Sequence, residues 1–544
     1  MPYRAIARDY VLLWCVLVFS GLVLRPLIPV DETRAVSVAW EMWQRGDFLV
    51  PYLNGKPYSH KPPLLQWVIH LSWFVFGVND WTPRFVGPLF GLGNLFLTER
   101  LARRLWPEAD TVSRLAPLIL LGLAVWSLWT TLTLYDMLVA FFAQLGVLGI
   151  LRAAQGAFGM GWLMMAVGIG GGVLSKGPII LLLILPAGLL APWWSTRVPG
   201  SGWIGWYAGI LAATLLGTSI GLAWAIPAGM AGGEAYAQAI FWSQSVGRIA
   251  NSFAHKRSWW WYAHTLPMVL FPWILWPGIW RNLVKPKADS SLRFCVLHVV
   301  AVLLLLSAIS AKQIHYLLPS LPIWALIFAR VFADPSLRIG RFGQIAFGAI
   351  VLGLGLVMAW LPFIAQALGF PKSDSTVVVV AEAFPLVAIV LIVGLGAFLL
   401  LWRPRDSATM VRGVVGAMIG VILVAHLVYV EAGRPHHDLR SVAVRIAQLQ
   451  ARGIPIAHWE KYSGDFQFIG RLTAPLEVLH TGQDLSEWLV AHPEGYVVIV
   501  YRGSKKGFEE TADFIQPYRG KRRIGLWKAS ELLTRSAALD ELAD

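Results

Sequence analysis

A polytopic α-helical membrane protein, with about 13 transmembrane helices and a small C-terminal α/β extracytoplasmic domain, is the fold class that three observations predict. Of the 544 residues 57% are hydrophobic and only 14% charged, which is too apolar for a soluble globular chain. Apolar runs of spanning length recur from residue 10 to residue 430 and then stop. Most Lys and Arg fall in the short gaps between those runs, so the net charge of +14 reads as the positive-inside pattern and not as a nucleic-acid surface. Cys15 and Cys295 both lie in apolar runs, so no disulfide framework or thiolate metal site is implied.

The runs lie around residues 10–29, 84–100, 115–133, 137–152, 161–174, 178–194, 203–223, 265–281, 294–310, 316–332, 343–362, 382–402 and 411–430. The first has no small-residue cleavage site and reads as a retained anchor. Arg4 and Arg8 place the N-terminus in the cytoplasm and the loop at 30–60 outside. The segment 62–78 is apolar but opens Lys-Pro-Pro. If it spans, Arg100, Arg103 and Arg104 face outside, against the charge rule. If it lies along the surface, those three and every later basic loop return to the cytoplasm. The first outer loop is therefore expected to carry interfacial helices. The expected domains are residues 1–430 in the membrane and 431–544 outside it. In the second, PIAHW, LEVLH, YVVIVY and RRIGLWKA read as short strands and QDLSEWLVAHPEG as a helix between strands.

The same topology gathers ionisable residues on the outer face. Asp31, Glu32, Arg34, His60 and Lys61 stand in the first loop; Asp136 follows TTLTLY, and Lys176 stands in SKGP. Arg248, His255, Lys312, His315 and Tyr316 stand in or beside later outer loops. Ionisable groups at membrane depth mark a functional site by default. Each has an ordinary reading too. Asp31 and Asp136 suit helix N-termini. Lys61 and Lys176 suit snorkelling lysines, Arg248 a headgroup contact, and Tyr316 an interfacial aromatic. The combination of VDETR (30–34) with the HKPP segment favours function for Asp31.

Six stretches carry a resemblance: VDETR, GDFLVPYLNGKPYSHKPPL (46–64), TLYDMLV (133–139), SKGP (175–178), AHKRSWWWY (254–262) and AKQIHYLLPSLP (311–322). In this order they resemble the C-class membrane glycosyltransferases of the protein mannosyltransferase superfamily, most closely the bacterial lipid A aminoarabinose transferase branch. The resemblance covers the membrane part. It implies a multi-pass protein of the bacterial inner membrane with its active site on the periplasmic face. It implies an undecaprenyl phosphate-linked sugar donor, inversion at the anomeric carbon, lipid A or another envelope glycolipid as acceptor, and no nucleotide cofactor. Asp31 and Asp136 would be the catalytic acids. Glu32, Arg34, Lys61, Lys176, Arg248, Lys312 and Tyr316 would bind substrate. Where that branch has a Glu before Lys-Pro-Pro this chain has His60, a departure that weakens aminoarabinose as the sugar. His60 and His255 are the candidate ligands for a divalent metal such as Zn2+.

The chemistry agrees. Moving a sugar off a lipid phosphate leaves an anion that Lys and Arg stabilise as it forms, and a hydroxyl acceptor needs a carboxylate base. Two other readings share these features: a protein O-glycosyltransferase of the same fold, and a lipid-linked sugar flippase. The flippase predicts inverted repeats and charges along a path through the membrane. The sequence shows no repeat, and its charges collect on one face.

Overall fold

The computed structural model describes residues 3–196, 200–246, 257–283, 289–334, 340–367, 384–503 and 506–534. Its first half runs α1 (Tyr3–Leu24), α2 (Asp31–Arg45), a two-stranded ribbon β1–β2 (Tyr52–Leu53, Lys56–Pro57), α3 (Leu64–Phe76), α4 (Thr82–Leu105), α5 (Asp110–Leu121), α6 (Ala124–Thr130), α7 (Asp136–Ala154), α8 (Phe158–Lys176) and α9 (Ile180–Leu189). After these come α10 (Gly202–Gly232), α11 (Ser290–Ala308), a 3-10 turn (Ile314–Ser320) leading into α12 (Leu321–Phe332), α13 (Phe342–Ala367), α14 (Leu386–Leu401) and α15 (Ser407–Ala432).

Among the described residues seven segments are long and apolar enough to cross a bilayer: Asp136–Ala154, Phe158–Lys176, Gly202–Gly232, Ser290–Ala308, Ile314–Phe332, Phe342–Ile364 and Ser407–Ala432. The pair α5–α6, bent by 71° at Gly122–Leu123, makes up to eight. This is a multi-pass membrane fold. The other apolar runs also form helices, but shorter or more charged ones. α9 has 10 residues, and α4 carries Arg84, Glu99, Arg100, Arg103 and Arg104 within its 24.

α7 and α8 pack through glycines. A Cβ on Gly149 would lie 2.5 Å from the Gly161 carbonyl oxygen, and one on Gly168 would lie 2.7 Å from the Gly146 nitrogen. Small residues allow this backbone-to-backbone approach where no water drives helices together. Gly168→Val is therefore expected to force the pair apart. The cost should be roughly 1–3 kcal/mol, read as a lower melting temperature in detergent.

α3 behaves as a two-faced helix. Trp73 is 1% exposed, whereas Leu71, Phe74, Val75 and Phe76 are 65–71% exposed. Its inner face lies on α2, where His70 Nε2 donates to the Ala39 carbonyl (2.8 Å) and Gln66 Nε2 to the Ala35 carbonyl (3.3 Å).

The C-terminal segment opens with α16 (Arg440–Ala451), followed by strands β3 (Ile456–Trp459), β4 (Glu477–Leu479), β5 (Tyr496–Arg502), β6 (Phe514–Tyr518) and β7 (Arg522–Lys528). The sheet order is β4-β3-β5-β7-β6, parallel on the β4-β3-β5 side and antiparallel on the other. Both faces are covered: Val498 and Leu526 face one core, while Val497, Ile499 and Trp527 face the other. That explains the unbroken apolar run in β5. The four expected strands coincide with β3, β4, β5 and β7. β6 was not expected: it is an edge strand that holds Pro517, where a missing N–H is tolerated. QDLSEWLVA folds as a helix, Gly482–Ala491, started by a capping box of Thr481 and Asp484.

This segment grips the first loop. Ser37 Oγ donates to the Gly464 carbonyl (2.7 Å) and Trp40 Nε1 to the Leu472 carbonyl (3.0 Å). Asn54 Nδ2 donates to the Leu476 carbonyl (2.8 Å), and the Leu476 N–H donates back to Asn54 Oδ1 (2.8 Å). Trp73 stacks on Phe468 at 5.6 Å. α2 is thus held from above by the sheet segment and from the side by α3.

Candidate active site

Four chain segments deliver charge to one cavity. Asp31 is the first residue of α2, and Asp136 the first of α7. Neither carboxylate caps its helix: the N-caps are Val30 and Tyr135, and neither helix has a side-chain capping bond. Neither acid is spent on a cap, and the helix N-termini favour their negative charge. Lys176 is the last residue of α8, released by Gly177 at φ +85°. Lys61 precedes two prolines that start α3.

The cavity has two joined halves. The polar half, about 520 Å³, is walled by Asp31, Arg34, Tyr58, His60, Lys61, Trp129, Tyr135, Asp136, Lys176, Gln313, His315 and Tyr316 among others. The apolar half, about 440 Å³, runs between Leu181–Leu183 of α9 and Leu305, Leu306 and Ile309 at the end of α11. Lys61, Asp136, Lys176, His315 and Tyr316 line both halves and so mark the junction. At that junction Lys176 Nζ lies 2.6 Å from Asp136 Oδ1, with side chains 13% and 8% exposed. The same ammonium sits 4.9 Å from the centre of the Tyr316 ring. On the far wall Arg34 Nη2 holds Asp31 Oδ1 at 2.5 Å, and the Asp31 side chain is 73% exposed.

The structure therefore brings together Asp31, Arg34, His60, Lys61, Asp136, Lys176 and Tyr316. It does not bring in Glu32 or Lys312. Glu32, expected to bind substrate, is 1% exposed and ion-paired with Arg25. It also accepts from the Thr133 N–H (2.6 Å) and the Ile28 N–H (2.9 Å). A buried carboxylate with those partners ties α2 to the turn that presents Asp136; it cannot also meet a ligand. Lys312 is 3% exposed, donates to the Ile309 and Arg257 carbonyls, and does not line either half of the cavity. Arg248 and His255 lie outside the described residues. His60 stacks obliquely on Tyr58 at 5.0 Å. Among the described residues no three His, Cys, Asp or Glu side chains are grouped to hold a metal ion, so these residues alone do not fit a zinc site.

Sequence reasoning placed His315 on the outer face without giving it a role, and missed the neutral rings Tyr58, Trp129 and Tyr135 of the wall. His315 stacks on Trp129 at 6.1 Å and meets Tyr316 edge-on at 4.8 Å. Tyr135 accepts from Gln66 Nε2 at 2.7 Å and is pushed above the ordinary tyrosine range by burial. Tyr135 directly adjoins Asp136, and that adjacency was the one usable signal for it.

Asp465, in the sheet segment, is 6% exposed and accepts from Thr33 Oγ1 of α2 at 3.4 Å. Burial raises its pKa to about 6, against the lowering effects of Arg519, Thr33, Arg34 and Tyr518. A folded pKa above the unfolded 3.8 means that the folded state gains stability as pH falls from 7 through 6 towards 4. The gain should be on the order of 1–3 kcal/mol. Asp465→Asn is expected to flatten that gain, as checked by melting temperatures of both proteins at pH 7 and pH 5.

The dolichyl-phosphate-mannose-protein mannosyltransferase family model matches residues 60–224. The undecaprenyl phosphate-alpha-4-amino-4-deoxy-L-arabinose arabinosyl transferase of Serratia proteamaculans is 30% identical over 386 residues, covering 65% of this chain and 67% of that enzyme. The enzyme of the same name from Pectobacterium carotovorum is 29% identical over 356 residues; the match spans 61% of this chain and 62% of the relative, short of two thirds of its length. ArnT from Cupriavidus metallidurans, solved bound to undecaprenyl phosphate, superposes with a TM-score of 0.71 at 19% identity, covering 95% of this chain and 97% of that one. In fold and in sequence, the chain belongs to this family of membrane glycosyltransferases within the protein mannosyltransferase superfamily.

Proposed function

We propose that the protein is an inverting glycosyltransferase of the bacterial inner membrane. It moves a sugar, aminoarabinose or a related one, from undecaprenyl phosphate to lipid A or another envelope glycolipid on the periplasmic face. The observation that carries this reading is the two-part cavity: an apolar slot meets a polar chamber at Lys61, Asp136 and Lys176. A lipid phosphate has that same polarity, tail in one half and sugar in the other, with its phosphate at the lysines. The names of the relatives supply the donor class: the relatives are called undecaprenyl phosphate-aminoarabinose transferases. On this reading about 13 segments cross the membrane, the shorter helices included. α3 lies in the outer interface with its exposed Phe74 and Phe76 in lipid, and residues 431–544 form a periplasmic domain over the chamber.

The reaction forms a bond from an acceptor oxygen to the anomeric carbon and breaks the bond from that carbon to the phosphate oxygen. The electron pair stays on undecaprenyl phosphate, whose growing charge Lys61 and Lys176 stabilise. Asp136 holds Lys176 in place. Asp31, exposed to the chamber, takes the proton of a hydroxyl acceptor. If the acceptor is a lipid A phosphate there is no proton to take, and Asp31 orients it through Arg34. No step is routed through a metal.

The test is mass spectrometry of lipid A from cells that carry the wild-type chain, Asp31→Asn, or neither. A sugar-sized mass gain confined to the wild type supports the reading. Sugar found on proteins and absent from lipids would transfer it to a protein acceptor. Lipid-linked sugar crossing proteoliposomes with no glycosyl transfer would replace it with the flippase reading.

A further inference from the structure

The underside of the sheet segment meets the membrane part at two places. One is the end of α15. That helix has 26 residues, so at 1.5 Å per residue it is about 39 Å long, against a hydrocarbon core of about 30 Å. Its last turn therefore reaches the headgroup layer, and residues 434–438 follow at that level. The β6–β7 hairpin is bonded to this stretch. The Arg519 N–H donates to the His436 carbonyl (2.9 Å), and Gln516 Nε2 donates to the Asp438 carbonyl (3.0 Å). The other place is Asp80, which Arg471 and Arg440 share at 2.5 and 3.6 Å. Asp80 stands between the lipid-facing end of α3, where Phe74 and Phe76 are 70–71% exposed, and Trp81, which is 51% exposed. Exposed apolar side chains beside cations mark the boundary between hydrocarbon and headgroups.

The hairpin brings more cations to that boundary than its own acids balance. The stretch RGKRR, residues 519–523, contains four cations and no acid. Arg523 pairs with Glu509 at 2.8 Å, and the charge of Arg519 bears on Asp465. Lys521 and Arg522 are exposed, and among the described residues neither has an ion-pair partner. Arg519 at φ +34° and Gly520 at φ +71° turn the chain, and Tyr518 pairs with Arg522, so Lys521 and Arg522 stand at the tip. Arg522 is also the register partner of the exposed Arg502 in β5. Like charges directly opposite each other weaken a sheet, and an anion bound between them offsets that cost.

We propose that this tip is a docking surface for the phosphates of acidic phospholipids in the adjacent leaflet, which hold the sheet segment against the membrane. The occupant is bulk lipid and not the sugar acceptor: Lys521 and Arg522 line neither half of the cavity, and bilayer phospholipid is always beside the end of α15. Each cation close to an acidic membrane surface strengthens attachment roughly 5-fold. The inference needs only that α15 spans the bilayer, and it is independent of the sugar and the acceptor.

The experiment is amide hydrogen exchange over residues 514–523 of the purified full-length protein in three kinds of nanodisc. One is phosphatidylcholine alone; in the others one lipid in four is replaced by phosphatidylglycerol or by lipid A. The expected result is exchange at least about 3-fold slower with phosphatidylglycerol than with phosphatidylcholine alone, a difference that high salt removes. Lys521→Gln/Arg522→Gln should exchange alike in those two discs. Arg452→Gln/Lys528→Gln removes two charges elsewhere, one just past the far end of α16 and one at the opposite end of β7, and should keep the slowing. No slowing in the wild type overturns the inference. So does slowing that survives in Lys521→Gln/Arg522→Gln or is lost in Arg452→Gln/Lys528→Gln. Slowing by lipid A with none by phosphatidylglycerol also overturns it and assigns these cations to the acceptor. Sugar transfer is not read in this experiment, so the glycosyltransferase reading keeps its own test.

Discussion

Lys176→Met is expected to lower the turnover of sugar transfer by a factor on the order of 10²–10³, the usual cost of removing one group aimed at developing charge in a preorganised site. The reason is geometric. Lys176 Nζ is 2.6 Å from Asp136 and stands where the apolar slot opens into the polar chamber. Methionine keeps the stem's volume but leaves Asp136 as a buried carboxylate without its ion partner. Lys176→Arg should recover part of the rate, since the charge returns in a different shape. Steady-state kinetics on purified variants checks both. A fall in kcat with KM nearly unchanged means the ammonium acts mainly on the leaving phosphate. A rise in KM alone would make it a binding group only.

Neighbouring acids at the head of α2 should give opposite phenotypes. Glu32→Ala is expected to destabilise the protein by roughly 3–5 kcal/mol, because it leaves the Arg25 guanidinium buried and unpaired. It also strips the acceptor from the Thr133 N–H, two residues before Tyr135 and three before Asp136. Asp31→Asn touches a side chain that is 73% exposed and should change stability by no more than about 0.5 kcal/mol, while abolishing most transfer to a hydroxyl acceptor. Melting temperature and transfer rate, measured together for the two variants, separate a residue that builds the site from one that works in it.

That pair also shows where sequence reading reaches its limit. Asp31 and Glu32 are adjacent, and both could serve a dipole or a substrate. Their separation depends on Arg25, seven residues away, and Thr133, 101 residues away. No local pattern encodes contacts of that kind. Lys312 failed similarly: its charge reads as a ligand group in sequence, yet its ammonium is turned onto backbone carbonyls.

What was legible rests on constraints that act along the chain. Apolar run length marks the helices because every backbone polar group in a bilayer must be bonded within its own segment. The charge rule gathered Asp31, Lys61, Asp136, Lys176 and Tyr316 on one face, and the structure gathers the same five around one cavity. The aromatic wall was not legible, since Trp and Tyr are common at membrane interfaces whether or not they meet a ligand. Nor was the grip of the sheet segment on α2, which runs through Asn54, Ser37 and Gly464, residues with no marked pattern of their own.

The central claim is that this cavity transfers a sugar from a polyprenyl phosphate. Its most direct measurement is reconstitution of the purified protein with lipid A and an undecaprenyl phosphate-linked sugar, followed by mass spectrometry of both lipids. The account predicts that free undecaprenyl phosphate and glycosylated lipid A appear in equal amounts with the wild type, and that both form on the order of 10²–10³-fold more slowly with Lys176→Met. Consumption of donor at the same rate by the wild type and by Lys176→Met would contradict it, because the chemistry would then lie elsewhere in the molecule.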